Sequence, residues 1–210
     1  MMKSKSWLPY VVPMGIYSVF LLMQTNANLL WIYPVKVIAV AAALIYFRKE
    51  YEELRPGFSL LAILVGLAAI AILIGIDPFY PKHGGGAAFD PTTISSLAQR
   101  TMFFAFRVVG AVIVVPVMEE LFWRAFLIRW LVNENFKSVP VGTFTGLSFV
   151  VTVAMFGAEH TQWLAGLICG ALYNWLYYKR KDVFACIVAH AVSNAALAAW
   201  VLCRGDWKFW

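Results

Sequence analysis

Apolar residues in this chain come in runs about as long as a bilayer is thick, and that feature decides the solvent in which it can fold. A helix crosses the hydrocarbon of a membrane in roughly 20 residues. Seven such runs can be read: Trp7 to Gln24, Trp31 to Phe47, Leu60 to Ile76, Thr101 to Trp130, Val141 to Gly157, Leu164 to Tyr178 and Val183 to Leu202. Hydrophobic residues make up 62% of the sequence and charged residues 13%, against roughly 45–50% and 25% in soluble domains. A water-soluble globule of this composition would leave large apolar patches on its surface. The expectation is an all-α, polytopic transmembrane helix bundle with about seven membrane helices, within a range of about six to eight. It forms a single integral membrane domain over residues 1–210, with N-terminal helices over 1–76, a loop over 77–99 and a second helical group over 100–202.

Charge then gives orientation. The formal net charge is +6, but Lys and Arg form no stripe with interleaved aromatics, so no nucleic-acid partner is expected. They fall between the apolar runs, as cytoplasmic loops of membrane proteins require. A cytoplasmic N-terminus puts Lys3/Lys5, Arg48/Lys49/Arg55, Arg129/Lys137 and Lys179/Arg180/Lys181 on one side and predicts an outward C-terminus. The first run resembles a signal peptide, yet it is long, carries Pro9 and Pro13 and lacks a small-x-small cleavage site, so it reads as a retained helix. Pro56-Gly57 closes a charged turn. Gly84-Gly85-Gly86 lacks the strand before it and the Lys-Ser/Thr tail of a phosphate loop, and reads as a flexible connection. Cys169, Cys186 and Cys203 have no metal-finger spacing and read as packed thiols. The Gly142/Gly146 and Gly166/Gly170 pairs read as helix-packing positions.

Ionisable groups inside membrane helices cost a few kcal/mol each and mark functional sites. Three places stand out: Glu119-Glu120-Leu121-Phe122-Trp123-Arg124, Phe156-Gly157-Ala158-Glu159-His160 and His190-Ala191-Val192-Ser193-Asn194. Glu120 and Arg124 are i and i+4 with the acid first, the favourable order for an ion pair along one face. Glu119 is turned about 100° away and has no such partner, which leaves its carboxylate for chemistry. Glu119 and His160 lie about equally far from the Lys137 to Pro140 turn, so an antiparallel hairpin puts them at one depth, where they can share a water. His190 and Asn194 are again i and i+4; both can donate hydrogen bonds, which suits an oxyanion face, and polar adhesion between helices is the alternative. Arg107 either meets an acid across the bundle or reaches the interface along its stem. Pro116 can kink the helix just before Glu119.

The order EExxxR, FxxxH, HxxxN on three membrane helices resembles the CPBP family, the CAAX-processing and bacteriocin-processing glutamic intramembrane proteases, over roughly Leu97 to Leu202. The resemblance implies a membrane fold with a conical cavity opening to the cytoplasm and an endopeptidase that cuts a membrane-held protein or peptide in the lipid bilayer. By motif position, Glu119 and His160 would activate water, His190 and Asn194 would hold the oxyanion, and Glu120, Arg124 and Phe156 would support the site. The compact chain with an apolar first half is also similar to CAAX prenyl protease-related proteins that accompany bacterial exosortase sorting systems. That implies a multi-pass protein of a bacterial cytoplasmic membrane associated with such a system.

No cofactor is expected for a glutamate site. A zinc alternative would draw on two histidines and a glutamate, although HExxH is missing. Two other functions compete with proteolysis. One is a non-proteolytic membrane scaffold or bacteriocin-immunity protein, and the other a small proton-coupled transporter, for which no inverted repeat is visible.

Overall fold

The computed structural model describes residues 6–55, 57–83 and 88–210. Lys3, Lys5, Pro56 and the glycines 84–86, read above as topology charges and turns, lie outside the described residues. Within them the chain is helical and contains no strand. Seven long helices follow one another: α1 Leu8–Met23, α2 Leu29–Tyr46, α3 Leu60–Ile76, α4 Leu97–Trp130, α5 Gly146–Ala158, α6 Trp163–Arg180 and α7 Val183–Arg204. Four of them, α2, α3, α4 and α7, are long and apolar enough to cross a membrane; α1 and α5 are apolar but shorter. The chain is an integral membrane helix bundle.

Local chemistry sets the ends of these helices. Ser59 and Ser96 accept from the backbone N–H of Ala62 and Gln99 and start α3 and α4. Between α6 and α7 the turn is only Lys181, in the left-handed conformation, and Asp182, which caps α7 through Phe184 N–H. The apolar run from Val141 becomes helical only at Gly146, where Thr145 accepts from Ser148 N–H. That corrects one reading. Gly142 lies in the loop with φ +86° against the Lys181 side chain, and Gly146 faces open space, so this pair packs no helices. Gly166 and Gly170 do so: a Cβ at Gly166 would sit 3.0 Å from Gly157 Cα, and one at Gly170 3.2 Å from the Phe156 ring. α3 approaches α7 as closely, since a Cβ on Gly66 would run into the Ala189 carbonyl and the Val192 side chain.

The long α4 is not a uniform rod. Two wider π turns, Gly110–Val114 and Leu121–Leu127, flank the short α-helical stretch Val115–Glu120, which contains Pro116. Proline has no N–H to give the preceding turn, and π turns of this kind absorb the resulting change of hydrogen-bond register. Glu119 and Glu120 sit where the second one begins.

The bundle has two distinct ends. At one, the start of α1 meets the α2–α3 and α4–α5 connections: Tyr51 Oη donates to the Pro9 carbonyl (2.7 Å), Tyr10 Oη to Glu53 (2.8 Å), and Arg129 pairs with Glu53 at 2.6 Å. The aromatic rings of Tyr10, Tyr51, Phe126 and Phe136 close this end, with Tyr10 to Phe136 centroids 5.2 Å apart and Phe126 to Phe136 5.1 Å. At the other, the α3–α4 connection, the α5–α6 loop and the last residues meet. Lys208 pairs with Asp77 at 2.9 Å, Trp163 Nε1 donates to the Pro81 carbonyl (2.8 Å), and His83 N–H donates to the Thr161 carbonyl (3.1 Å).

Candidate active site

Arg124 is the structural centre of the site. Its guanidinium is 1% exposed and bonded on all sides: Nη1 to Glu120 Oε1 (3.1 Å), Nε to Asn174 Oδ1 (3.1 Å) and Nη2 to the Gly170 carbonyl (3.3 Å). Its plane stands over the Phe156 ring, 4.8 Å from the centroid. A buried charge persists only when paired and hydrogen-bonded, and here α4 and α6 supply the partners. The i, i+4 spacing of Glu120 and Arg124 gives the ion pair expected from the sequence. Asn174, which the sequence reading left out, completes it and in turn donates to Thr152 Oγ1 (2.8 Å) on α5. An asparagine amid the apolar residues of α6 was the signal available for it.

His190 joins the same carboxylate. Its Nδ1 lies 2.9 Å from Glu120 Oε1, while its ring stacks on Tyr173 at 5.3 Å. With Nδ1 turned to Glu120, Nε2 is the ring nitrogen left for a second partner. Asn194 Nδ2 donates to the Ala111 carbonyl in the first π turn (2.8 Å), and Ser193 bonds Tyr173 Oη (2.7 Å). Polar adhesion between helices, the alternative for this motif, is therefore visible in its hydrogen bonds. Yet His190, Ser193 and Asn194 also line a cavity of about 150 Å³ together with His160.

Glu119 belongs to a different environment from its neighbour. Both Oε2 atoms are buried without a hydrogen-bond partner, but Glu120 is sealed at 0% exposure, whereas Glu119, at 5%, lines a cavity of about 330 Å³. His160 and Glu159 line that cavity too, and donor atoms of Glu119, Glu159 and His160 all lie within 4.8 Å of one another. The structure thus brings together Glu119 and His160, which the hairpin argument placed at one depth. Phe156 is the floor between the motifs: its ring touches those of His160 (4.7 Å), Trp123 (6.0 Å) and His190 (6.1 Å).

His160 is oriented by its own helix. Its Nδ1 is 2.6 Å from the Phe156 carbonyl, which can only accept, so Nδ1 carries the proton and Nε2 presents a lone pair. The residue lies beyond the end of α5, and burial pulls its imidazole down to about 4, hence neutral at neutral pH. Glu159, beside it, lines the cavity; desolvation by the walls raises its carboxyl to about 7, and the nearby Arg124 charge offsets part of that rise. The sequence reading gave Glu159 no role, because it ended the apolar run at Gly157 and hydropathy does not say which way the residues after a helix end face; α5 ends at Ala158. Arg107 meets no acid across the bundle in the contacts seen: its guanidinium lies over the rings of Tyr33 (4.7 Å) and Trp210 (5.7 Å).

The residues able to hold a divalent cation are therefore Glu119, Glu159 and His160. His190, whose Nδ1 bonds Glu120, lies outside this group. The cavity runs from Glu119 and His160 to Gln162, Lys208 and Trp210 at the end of the bundle opposite the basic connections. Two expectations consequently exclude each other: a cytoplasmic N-terminus and a cavity opening to the cytoplasm.

Among known proteins, no curated protein and no solved structure matches the chain. A family model does: that of the type II CAAX prenyl endopeptidase Rce1-like proteins matches residues 101–196. The match spans the EExxxR, FxxxH and HxxxN residues from Glu119 to Asn194. This segment, a little under half of the chain, is similar to the Rce1-like type II CAAX prenyl endopeptidases.

Proposed function

We propose that this protein is an intramembrane endopeptidase of glutamic type, which hydrolyses a peptide bond of a membrane-held protein with water activated between Glu119 and His160. The observation that carries this reading is the Glu119 carboxylate: buried, with one oxygen unpartnered, at a cavity wall beside the free Nε2 of His160. In such a site a carboxylate is poorly solvated and is a stronger base than in water.

The chemistry follows from these positions. Glu119 takes one proton from water while His160 Nε2 accepts a hydrogen bond from the other and aims the oxygen. The O–C bond forms at the scissile carbonyl, and its oxygen becomes an oxyanion that His190 and Asn194 meet from the adjoining cavity. The C–N bond then breaks and Glu119 returns its proton to the leaving amine. Glu120 and Arg124, packed on Phe156, hold α4, α6 and α7 in register for this step. Substrates of this reading are membrane-anchored proteins or peptides, such as leader or sorting-signal proteins of a bacterial membrane, and the step draws on no cofactor.

The test compares new protein termini in host membranes containing wild type or Glu119→Ala at matched abundance. A terminus seen only with wild type supports the reading and identifies the substrate. No dependent terminus, with the deletion phenotype still rescued by Glu119→Ala, overturns it in favour of the scaffold function. The same comparison with a chelator addresses a second reading, favoured by the clustering of Glu119, Glu159 and His160: cleavage that stops on chelation and returns with Zn²⁺ would assign a cation to these three residues.

A further inference from the structure

The two ends of the bundle differ sharply in basic charge. The connections at the closed end carry Arg48, Lys49 and Arg55 between α2 and α3, Lys137 between α4 and α5, and Lys181 after Lys179 and Arg180 between α6 and α7. At the cavity end, residues 24–28 and 159–162 carry neither Lys nor Arg; the basic residues there are Lys82 and Lys208, both paired with Asp77, Arg100 in the first turn of α4 and Arg204 at the end of α7, fewer than at the closed end. All of these connections are short, the condition under which Lys and Arg bias sets orientation. The basic end is the cytoplasmic one by this measure.

The cavity does not communicate with that end. Below Glu119 along α4 come the sealed Glu120–Arg124 pair and then the rings of Phe126, Phe136, Tyr10 and Tyr51. Above it the walls lead past Tyr17, Arg107 and Gln162 to Lys208 and Trp210. A peptide reaching the two site carboxylates enters from the side of the α3–α4 and α5–α6 connections.

We infer that the catalytic cavity faces away from the cytoplasm, and that the substrate is a membrane-anchored polypeptide whose cleaved segment has already been delivered to the far side of the membrane. A cytoplasmic tail, the substrate position that a cavity open to the cytoplasm would serve, cannot reach it. The substrate half of this inference rests on the protease reading, whereas the orientation half does not.

Native cysteines allow a direct test. Cys169 and Cys186 are buried, while Cys203 is exposed near the cavity end of α7. A second reporter avoids dependence on how deeply lipid covers Cys203: in a Cys203→Ala background, Ser95→Cys marks the cavity end and Glu134→Cys the basic end, both at exposed positions. Intact host cells are treated with a membrane-impermeant maleimide, with and without permeabilisation. The expected result is labelling of Ser95→Cys in intact cells and of Glu134→Cys only after permeabilisation. The reverse pattern overturns the inference, as does labelling of both in intact cells, which would mean mixed orientation. Labelling needs no enzymatic turnover, so an orientation as inferred in a protein whose Glu119→Ala variant leaves every terminus unchanged would refute the protease and not the orientation.

Discussion

Glu119 and Glu120 are adjacent in the chain and differ in what surrounds them, and the difference predicts opposite mutant behaviour. Glu119→Gln removes the base from a cavity wall that no ion pair depends on. Cleavage should fall by about 10²–10⁴-fold, with a thermal midpoint in detergent close to wild type. Glu120→Gln leaves the 1%-exposed Arg124 guanidinium without its counter-charge. Removing one partner of a buried pair costs about 3–5 kcal/mol, so this variant should melt far earlier or fail to accumulate. Helix geometry alone made this contrast legible from sequence, because only Glu120 has an arginine four residues on. Glu159 was not legible in the same way: the apolar run ends at Gly157 in the sequence, one residue from the end of α5, but only the tertiary turn decides which way the next side chains face. Nor could His190 be assigned from sequence to Glu120, since that 2.9 Å contact joins residues 70 positions apart.

At the scale of elements, close approach between helices is set by glycines. Gly66 lets α3 reach the backbone of α7 one residue from His190, and any side chain there meets the Ala189 carbonyl, which cannot swing aside. Gly66→Val should therefore displace α7 at an overpacking cost of about 1–3 kcal/mol or more, read as a lower thermal midpoint together with reduced cleavage. Gly146→Ala, in open space, should change neither. The helices themselves could be read from hydropathy to within a few residues, because each is an apolar run between polar connections. The internal register of α4 could not: Pro116 signals a disturbance, but whether it produces a kink or a π turn depends on the neighbours that take up the freed backbone groups, as Asn194 does at Ala111.

For the molecule as a whole, Asp77 fastens the cavity end. It is 5% exposed and meets both Lys82 and Lys208, so the residues after α7 are held across the mouth, where Trp207 also stacks on Phe104 at 6.0 Å. Asp77→Ala should release this segment, measured as faster proteolytic clipping after Arg204 while the α5–α6 hairpin stays protected. Overall architecture was the most legible level, since composition leaves a membrane bundle as the only solvent-compatible fold. Which end holds the cavity was not, because that depends on where three distant motifs meet.

The aromatic cluster at the basic end bears on the energy balance of the host membrane as well as on catalysis. With the cavity facing outward as inferred above, water reaching Glu119 would carry the outer electrical potential inward, and the voltage across the membrane would drop over the remaining layer, at about 2.3 kcal/mol per elementary charge per 100 mV. Tyr10, Tyr51, Phe126 and Phe136 are that layer. They act as the dielectric of a thin capacitor, and replacing two of the rings by alanine should turn a hydrolase into an ion leak, visible as loss of membrane potential in cells that express it.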